Sequence, residues 1–217
     1  SRLLEHEYHE RQPIILYASH SEFQQNNVTT IAEGTGGVTE PYRHRVLLPF
    51  TGSYREFQHV LEHEIVHQFQ FDVFANGSIG AGVTRLIEVD PPLWFMEGMA
   101  SYMAKDESAR DRMYLRDAVV NDRIPQVTST NVGGFFAYRF GHAVFDFIEE
   151  RWGKEAFRDF MIEMRNTIGA RVGRAVERTF RMDPEDFDGE FRRWLRKRYL
   201  PELVETGEPG DFGRPFR

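Results

Sequence analysis

Two histidines and a glutamate stand at a spacing that can hold and use a metal ion: His63-Glu64-Ile65-Val66-His67 is an H-E-x-x-H segment. On a helix, residues four apart lie one above the other on the same face, so both imidazoles can point at a single ion. Zinc takes such nitrogen ligands at about 2.0–2.1 Å. Glu64, next to the first ligand, is placed to take a proton from water at the metal and pass it to a leaving amine. A chain rich in His and Glu also reaches this pattern by chance, and three features of context favour the metal. The segment falls in an expected helix, its flanks are apolar (Val60, Leu61, Ile65, Val66, Phe69), and an extended segment lies just upstream. Two His and a Glu in such surroundings require a reason to be there, and metal ligation is the simplest.

The third ligand sets the subclass. A metzincin would continue with Gly and His in an H-x-x-G-x-x-H pattern, and Gln70 and Val73 at those positions exclude it. Downstream, Trp94-Phe95-Met96-Glu97-Gly98-Met99-Ala100-Ser101-Tyr102 carries a carboxylate inside an apolar, helix-forming stretch. A buried Glu is costly unless it is paired or bound to a cation, which makes Glu97 the leading candidate. Asp72, Glu88 and Asp90 are its rivals, all in loop or cap settings.

The elements that must position these residues can be read from pattern. Pro13 to Ser19 and Arg45 to Phe50 (RVLLPF) are strand candidates, and between them Glu33 to Glu40 is Gly- and Thr-rich. Ser53-x-x-Glu56 resembles a capping box opening a helix over about 54–74. Asp90-Pro91-Pro92 is expected to cap and start a second helix from about Leu93 to Lys105. Further helices are expected at about Ser108–Asn121, Phe136–Trp152, Lys154–Asn166, Arg171–Phe180 and Pro184–Tyr199. After Pro201 the chain turns to Gly, Pro and acidic residues, so 1–203 reads as one domain and 204–217 as a linker or tail. The architecture expected is α+β, a small strand-rich N-terminal lobe followed by a mostly helical remainder.

Bulk properties narrow the function classes. With 41% hydrophobic and 14% aromatic residues, the chain has enough apolar material for a real core. A formal net charge of −7 argues against nucleic-acid binding through phosphate contacts. The basic cluster Arg192, Arg193, Arg196, Lys197 and Arg198 follows five acidic residues and reads as the charged face of an amphipathic helix. There is no cysteine, hence neither disulfide nor thiolate ligand. No apolar run is long enough for a transmembrane segment. The opening SRLLEHEYHERQP has no initiator Met and reads as a processed or excised piece of a longer protein. His6, His9, His20, His44 and His59 have no ligand partner at clear spacing and read as surface or packing residues.

The pair HEIVH and WFMEGMASY resembles the gluzincin group of peptidase MA-like zinc metallopeptidases, in which a second helix supplies a Glu in an E-G-x-A-x-Y setting matched by Glu97, Gly98, Ala100 and Tyr102. It is similar to the domains that precede TolB-like β-propellers in bacterial proteins. The resemblance implies a zincin (thermolysin-like) fold and a peptide or protein substrate, with His63, His67 and Glu97 on Zn2+ and Glu64 as general base. It further implies a C-terminal β-propeller in the full-length protein and export from the cell. It implies an oxyanion donor from the helical part, for which Tyr138 comes first and His142, four residues on, is the other choice, although a buried Tyr is more often a packing residue. Arg139 is a weaker candidate, as a carboxylate clamp, and reads more readily as a surface charge. RVLLPF resembles the edge strand against which such enzymes lay substrate, although an ordinary core strand explains it equally well. Two departures stand out. The spacing between His67 and Glu97 implies an inserted loop, about Ala75–Val89, rimming the cleft. Ser101 occupies a position where relatives carry an Asp that orients a ligating His, and a hydroxyl would support the ligand less strongly. Two rival readings remain: a non-catalytic interaction module on the same scaffold, and a metallohydrolase acting on a non-peptide amide or ester.

Overall fold

Val46, Leu47 and Leu48 form a continuous apolar run, the pattern of a strand covered on both faces. A computed structural model of the chain has them in the middle of a three-stranded sheet and all but inaccessible to solvent. It describes residues 11–25, 35–40, 43–75, 84, 86–105, 108–169 and 171–206. The strands are β1 (Ile14–Tyr17), β2 (Val38–Glu40) and β3 (Arg45–Pro49), in the order β1-β3-β2. β1 runs parallel to β3 with Ile14 opposite Val46, and β2 runs antiparallel to it with Val38 opposite Leu47. RVLLPF is therefore the central strand and cannot be the edge strand. Its apolar side chains project alternately to the two faces of the sheet, and among the described residues β2, from the Gly- and Thr-rich segment, is an outer strand. Pro49 ends β3, and the Phe50 N–H takes up the pairing by donating to the Tyr17 carbonyl at 2.9 Å.

A short α1 (His20–Gln24), capped by Ser19, joins β1 to the segment before β2. The helical part begins with α2 (Tyr54–Ala75), whose first turn is held by the Glu56 N–H donating to Ser53 Oγ at 3.3 Å. There follow α3 (Leu93–Met103), α4 (Ala109–Val120), α5 (Gly134–Trp152), α6 (Lys154–Arg165), α7 (Val172–Phe180) and α8 (Pro184–Thr206). The described architecture is thus α+β and mostly helical, with one small sheet. Two expectations need correction. Asp90 is not the cap of α3: it lies at φ 46°, its N–H donates to Leu86 O at 2.9 Å, and it closes a helical turn over residues 86–89. Successive prolines hold the next residues extended, so Pro92 at ψ 150° is the N-cap. At the other end, α8 continues through Pro201 to Thr206, three residues beyond the expected domain limit. Pro201 itself is exposed, and the helix runs on past it at the cost of a backbone hydrogen bond. Residues 207–217 of the expected tail, and 76–83 and 85 of the expected inserted loop, lie outside the described residues.

The aromatic residues make the core. Trp94, Phe95, Phe140, Phe145, Phe157, Phe160, Phe187 and Phe191 are fully buried, and their rings meet edge-on or tilted. α3 is the helix at the centre, packed between α2 and α5. That placement gives α3 one apolar face toward the core and one turn, around Glu97, toward α2.

Candidate metal centre

α2 presents His63 and His67 on one face, their rings 4.9 Å apart and near perpendicular. α3 brings Glu97 against them. Glu97 Oε2 lies 3.2 Å from His63 Nε2 and 3.3 Å from His67 Nε2, and the two Nε2 atoms are 3.2 Å apart. Among the described residues this is the set of His and carboxylate groups that can share one ion. Ligand bonds of about 2.0–2.1 Å put two corners of a tetrahedron about 3.3–3.4 Å apart, so the triangle has the size that one zinc ion requires. Two imidazole nitrogens and a carboxylate oxygen are also the donor types zinc accepts. The residues fit the metal. Of the rivals, Asp72, Glu88 and Asp90 are absent from the cluster, although Asp90 lines the rim.

Charge in the cluster is arranged to match. Burial disfavours the imidazolium of His67, but a hydrogen bond to Glu97, the charges of Glu97 and Glu64 and a bond to Gln70 outweigh it and raise the ring to about 9. Burial alone would push the Glu97 carboxyl up, and the two imidazoles instead hold it well below the usual carboxylate range. The two shifts have one origin: the His67 imidazolium and the Glu97 carboxylate stabilise each other.

His67 is oriented from its other side. His67 Nδ1 is 2.7 Å from Gln70 Oε1, and Gln70 Nε2 donates to the Met96 carbonyl at 2.9 Å. With the Gln70 oxygen as acceptor, Nδ1 donates to it, so Nε2 is the nitrogen that would face a metal once its own proton is lost. Gln70 is fully buried and ties His67 on α2 to Met96, the residue before Glu97 on α3. Sequence reasoning used Gln70 only to exclude a subclass. The available signal was its position three residues after His67, on the same helix face.

Ser101 does not serve that role. Its Oγ lies 3.1 Å from His142 Nδ1 and accepts from Arg139 Nη1 at 3.3 Å. It sits one turn past Glu97, turned into the α3–α5 contact and away from α2. The same contact holds the two other candidates, His142 and Arg139. His142 is buried, lies edge-on to Tyr102 and lines a separate cavity. Arg139 is buried, paired through Nε with Asp111 Oδ1 at 2.9 Å and stacked over Phe135. It is neither a surface charge nor a carboxylate clamp in the cleft.

Tyr138 does reach the cleft. Its ring stacks on His63 with centroids 5.9 Å apart and planes 17° from parallel. Burial, then the charge of Glu97 and a hydrogen bond to it, raise the phenol well above its ordinary range, so it keeps its proton. The cleft holds about 590 Å³ and is lined by His63, Glu64, His67, Glu97 and Tyr138 together with residues 35 and 37–39 of the sheet side. Phe71, Leu86, Ile87 and Met96 supply an apolar part of the lining. Leu86 and Ile87 belong to the long connection between α2 and α3, where a rim was expected. Among the other histidines, His20 packs on Phe23 and bonds the Thr35 carbonyl, a structural role.

Set against known proteins, the chain matches no family model, no curated protein and no solved structure at a significant level. Among the described residues, no helix is long and apolar enough to cross a membrane.

Proposed function

We propose that this chain is the catalytic domain of a zinc metallopeptidase of the gluzincin type, on a zincin fold, with zinc held by His63, His67 and Glu97. The observation that carries the reading is the triangle of three donor atoms 3.2–3.3 Å apart, flanked in one cleft by the Glu64 carboxylate and the Tyr138 hydroxyl. Zinc in that position supplies Lewis-acid activation of water and of the scissile carbonyl.

The chain's own groups supply the rest. Glu64, next in sequence to His63 and nearly buried, takes the proton of the attacking water and returns it to the leaving nitrogen. Tyr138, which stays protonated, donates a hydrogen bond to the carbonyl oxygen as negative charge develops there. Among the described residues β2 pairs with β3 on one side only, and its other side, with Val38 and Thr39 lining the cleft, suits main-chain pairing with an extended peptide. Such pairing reads little of the substrate's sequence, while the apolar lining of Phe71, Leu86, Ile87 and Met96 favours an apolar side chain.

The test compares wild type with Glu64→Gln and Glu97→Ala, using metal analysis by plasma mass spectrometry and a quenched-fluorescent peptide library. Glu64→Gln is expected to keep zinc and lose turnover, and Glu97→Ala to lose zinc. Full hydrolysis by Glu64→Gln would remove it as the base, and unchanged zinc in Glu97→Ala would move the third ligand elsewhere.

A further inference from the structure

The Glu64 carboxylate is not held by its own helix. Thr39 Oγ1, reaching across from β2, lies 2.6 Å from Glu64 Oε2 and 3.0 Å from the Glu64 main-chain oxygen. A hydroxyl has one proton to give, and the shorter contact to a charged oxygen takes it. On the same strand segment, Gly37 packs against the stem of that glutamate. A Cβ there would stand 2.8 Å from Glu64 Cγ, 3.0 Å from Oε1 and 2.6 Å from Leu48 Cδ2. Glu64 is therefore met twice from this side, by bare backbone at Gly37 just before β2 and by the Thr39 donor on β2 at one carboxylate oxygen. Backbone pairing of Thr39 with Val46 sets where the donor stands.

We propose that Thr39 is a positioning residue for Glu64, fixing the carboxylate in the rotamer that faces the cleft and leaving Oε1 to handle the proton. The inference rests on the proposed peptidase reading, in which Glu64 is the base. The hydrogen bonds of the Thr39 hydroxyl go to Glu64 and to none of His63, His67 and Glu97, so the role argued for it is exerted through Glu64. It also ties the base to the strand that an extended substrate would pair with, so the base and the peptide backbone share one reference frame.

Two measurements test this. In the zinc-loaded protein, Thr39→Val removes the hydroxyl at nearly constant volume. It is expected to lower kcat about 10- to 100-fold with zinc content unchanged and KM moved by no more than about twofold. Thr39→Ser, which restores the donor, is expected to recover most of the loss. Turnover of Thr39→Val at the wild-type level overturns the proposal, as does a Ser variant no better than Val, which would mean packing alone. Independently of activity, a double-mutant cycle of Thr39→Val with Glu64→Ala is read from urea unfolding of the zinc-free chain. Coupling of about tenfold in the unfolding constant is expected for a hydrogen bond to a charged group, and strict additivity overturns the proposal. If wild type cleaves no peptide, the peptidase reading fails by itself, and the cycle still decides whether Thr39 holds Glu64.

Discussion

Gly98 of α3 and Gly141 of α5 face one another so closely that a Cβ on Gly98 would lie 2.3 Å from the Gly141 Cα, and one on Gly141 would lie 1.9 Å from the Trp94 carbonyl oxygen. The obstruction is backbone on both sides, which no side-chain rotation relieves. This contact lets α3 and α5 approach far enough for Glu97, one residue before Gly98, and Tyr138, one turn before Gly141, to reach the same cleft. The Gly of the E-G-x-A-x-Y setting thus has a packing reason: it spaces the helix that carries the third donor.

Gly98→Ala and Gly141→Ala are each expected to destabilise the fold by at least about 2–3 kcal/mol, because overpacking against backbone forces the helices apart. Both should also weaken zinc binding, since Glu97 moves with α3. Urea unfolding together with metal analysis checks this. A Gly98→Ala variant as stable as wild type would mean that the two helices are not in this contact.

Gln70→Ala removes the acceptor for His67 Nδ1 and the link to the Met96 carbonyl. Zinc affinity is expected to fall about 10- to 100-fold, as for other groups that orient a ligand from behind. Competition with a chelating dye measures it, and an unchanged affinity would show that His67 is held by other means.

Tyr138→Phe keeps the ring that stacks on His63 and deletes the hydroxyl. Zinc content should be unaffected while kcat drops roughly 100-fold, the scale of losing one oxyanion donor. Steady-state kinetics on a peptide found in the library screen decide it. A variant with normal kcat would return Tyr138 to a packing role.

Asp188 anchors the segment before α5 by accepting from the Val127 N–H at 2.6 Å. Burial raises its carboxyl above the ordinary value, against the opposing effects of that hydrogen bond and of Arg192. The folded protein therefore binds this proton more tightly than the unfolded chain does. The associated stability is fully present below the unfolded value of about 3.9 and is lost as pH rises through the higher folded value. Wild type should thus gain stability relative to Asp188→Asn as pH falls from 7 toward about 4. Urea unfolding at several pH values tests the slope, and a difference independent of pH would mean that Asp188 is not shifted on folding.

Much of this was legible in the residues themselves. Periodicity located α2 through α7 to within one or two residues at most ends, because each carries an apolar stripe that only a helix lines up. The spacing of His63 and His67, together with a carboxylate in an apolar stretch at Glu97, singled out three groups that the structure brings within reach of one another. β2 and α1 escaped notice because three and five residues are too short to show a period. What periodicity cannot carry is which strand lies in the middle, and β3 became central only when β1 and β2 closed on its two sides.

The supporting groups were decided by tertiary structure alone. Gln70, Thr39, Ser101 and Arg139 are ordinary polar residues in the sequence, and their roles depend on partners brought close by the packing of α2, α3, α4, α5 and β2. Thr39 meets Glu64 from 25 residues away, and Ser101 meets His142 from 41. Local spacing determines which side chains can share a face, because helix and strand geometry repeat along the chain. Which faces meet is fixed by how the aromatic core closes and how near two glycines let their helices come, and neither distance is written in any local period.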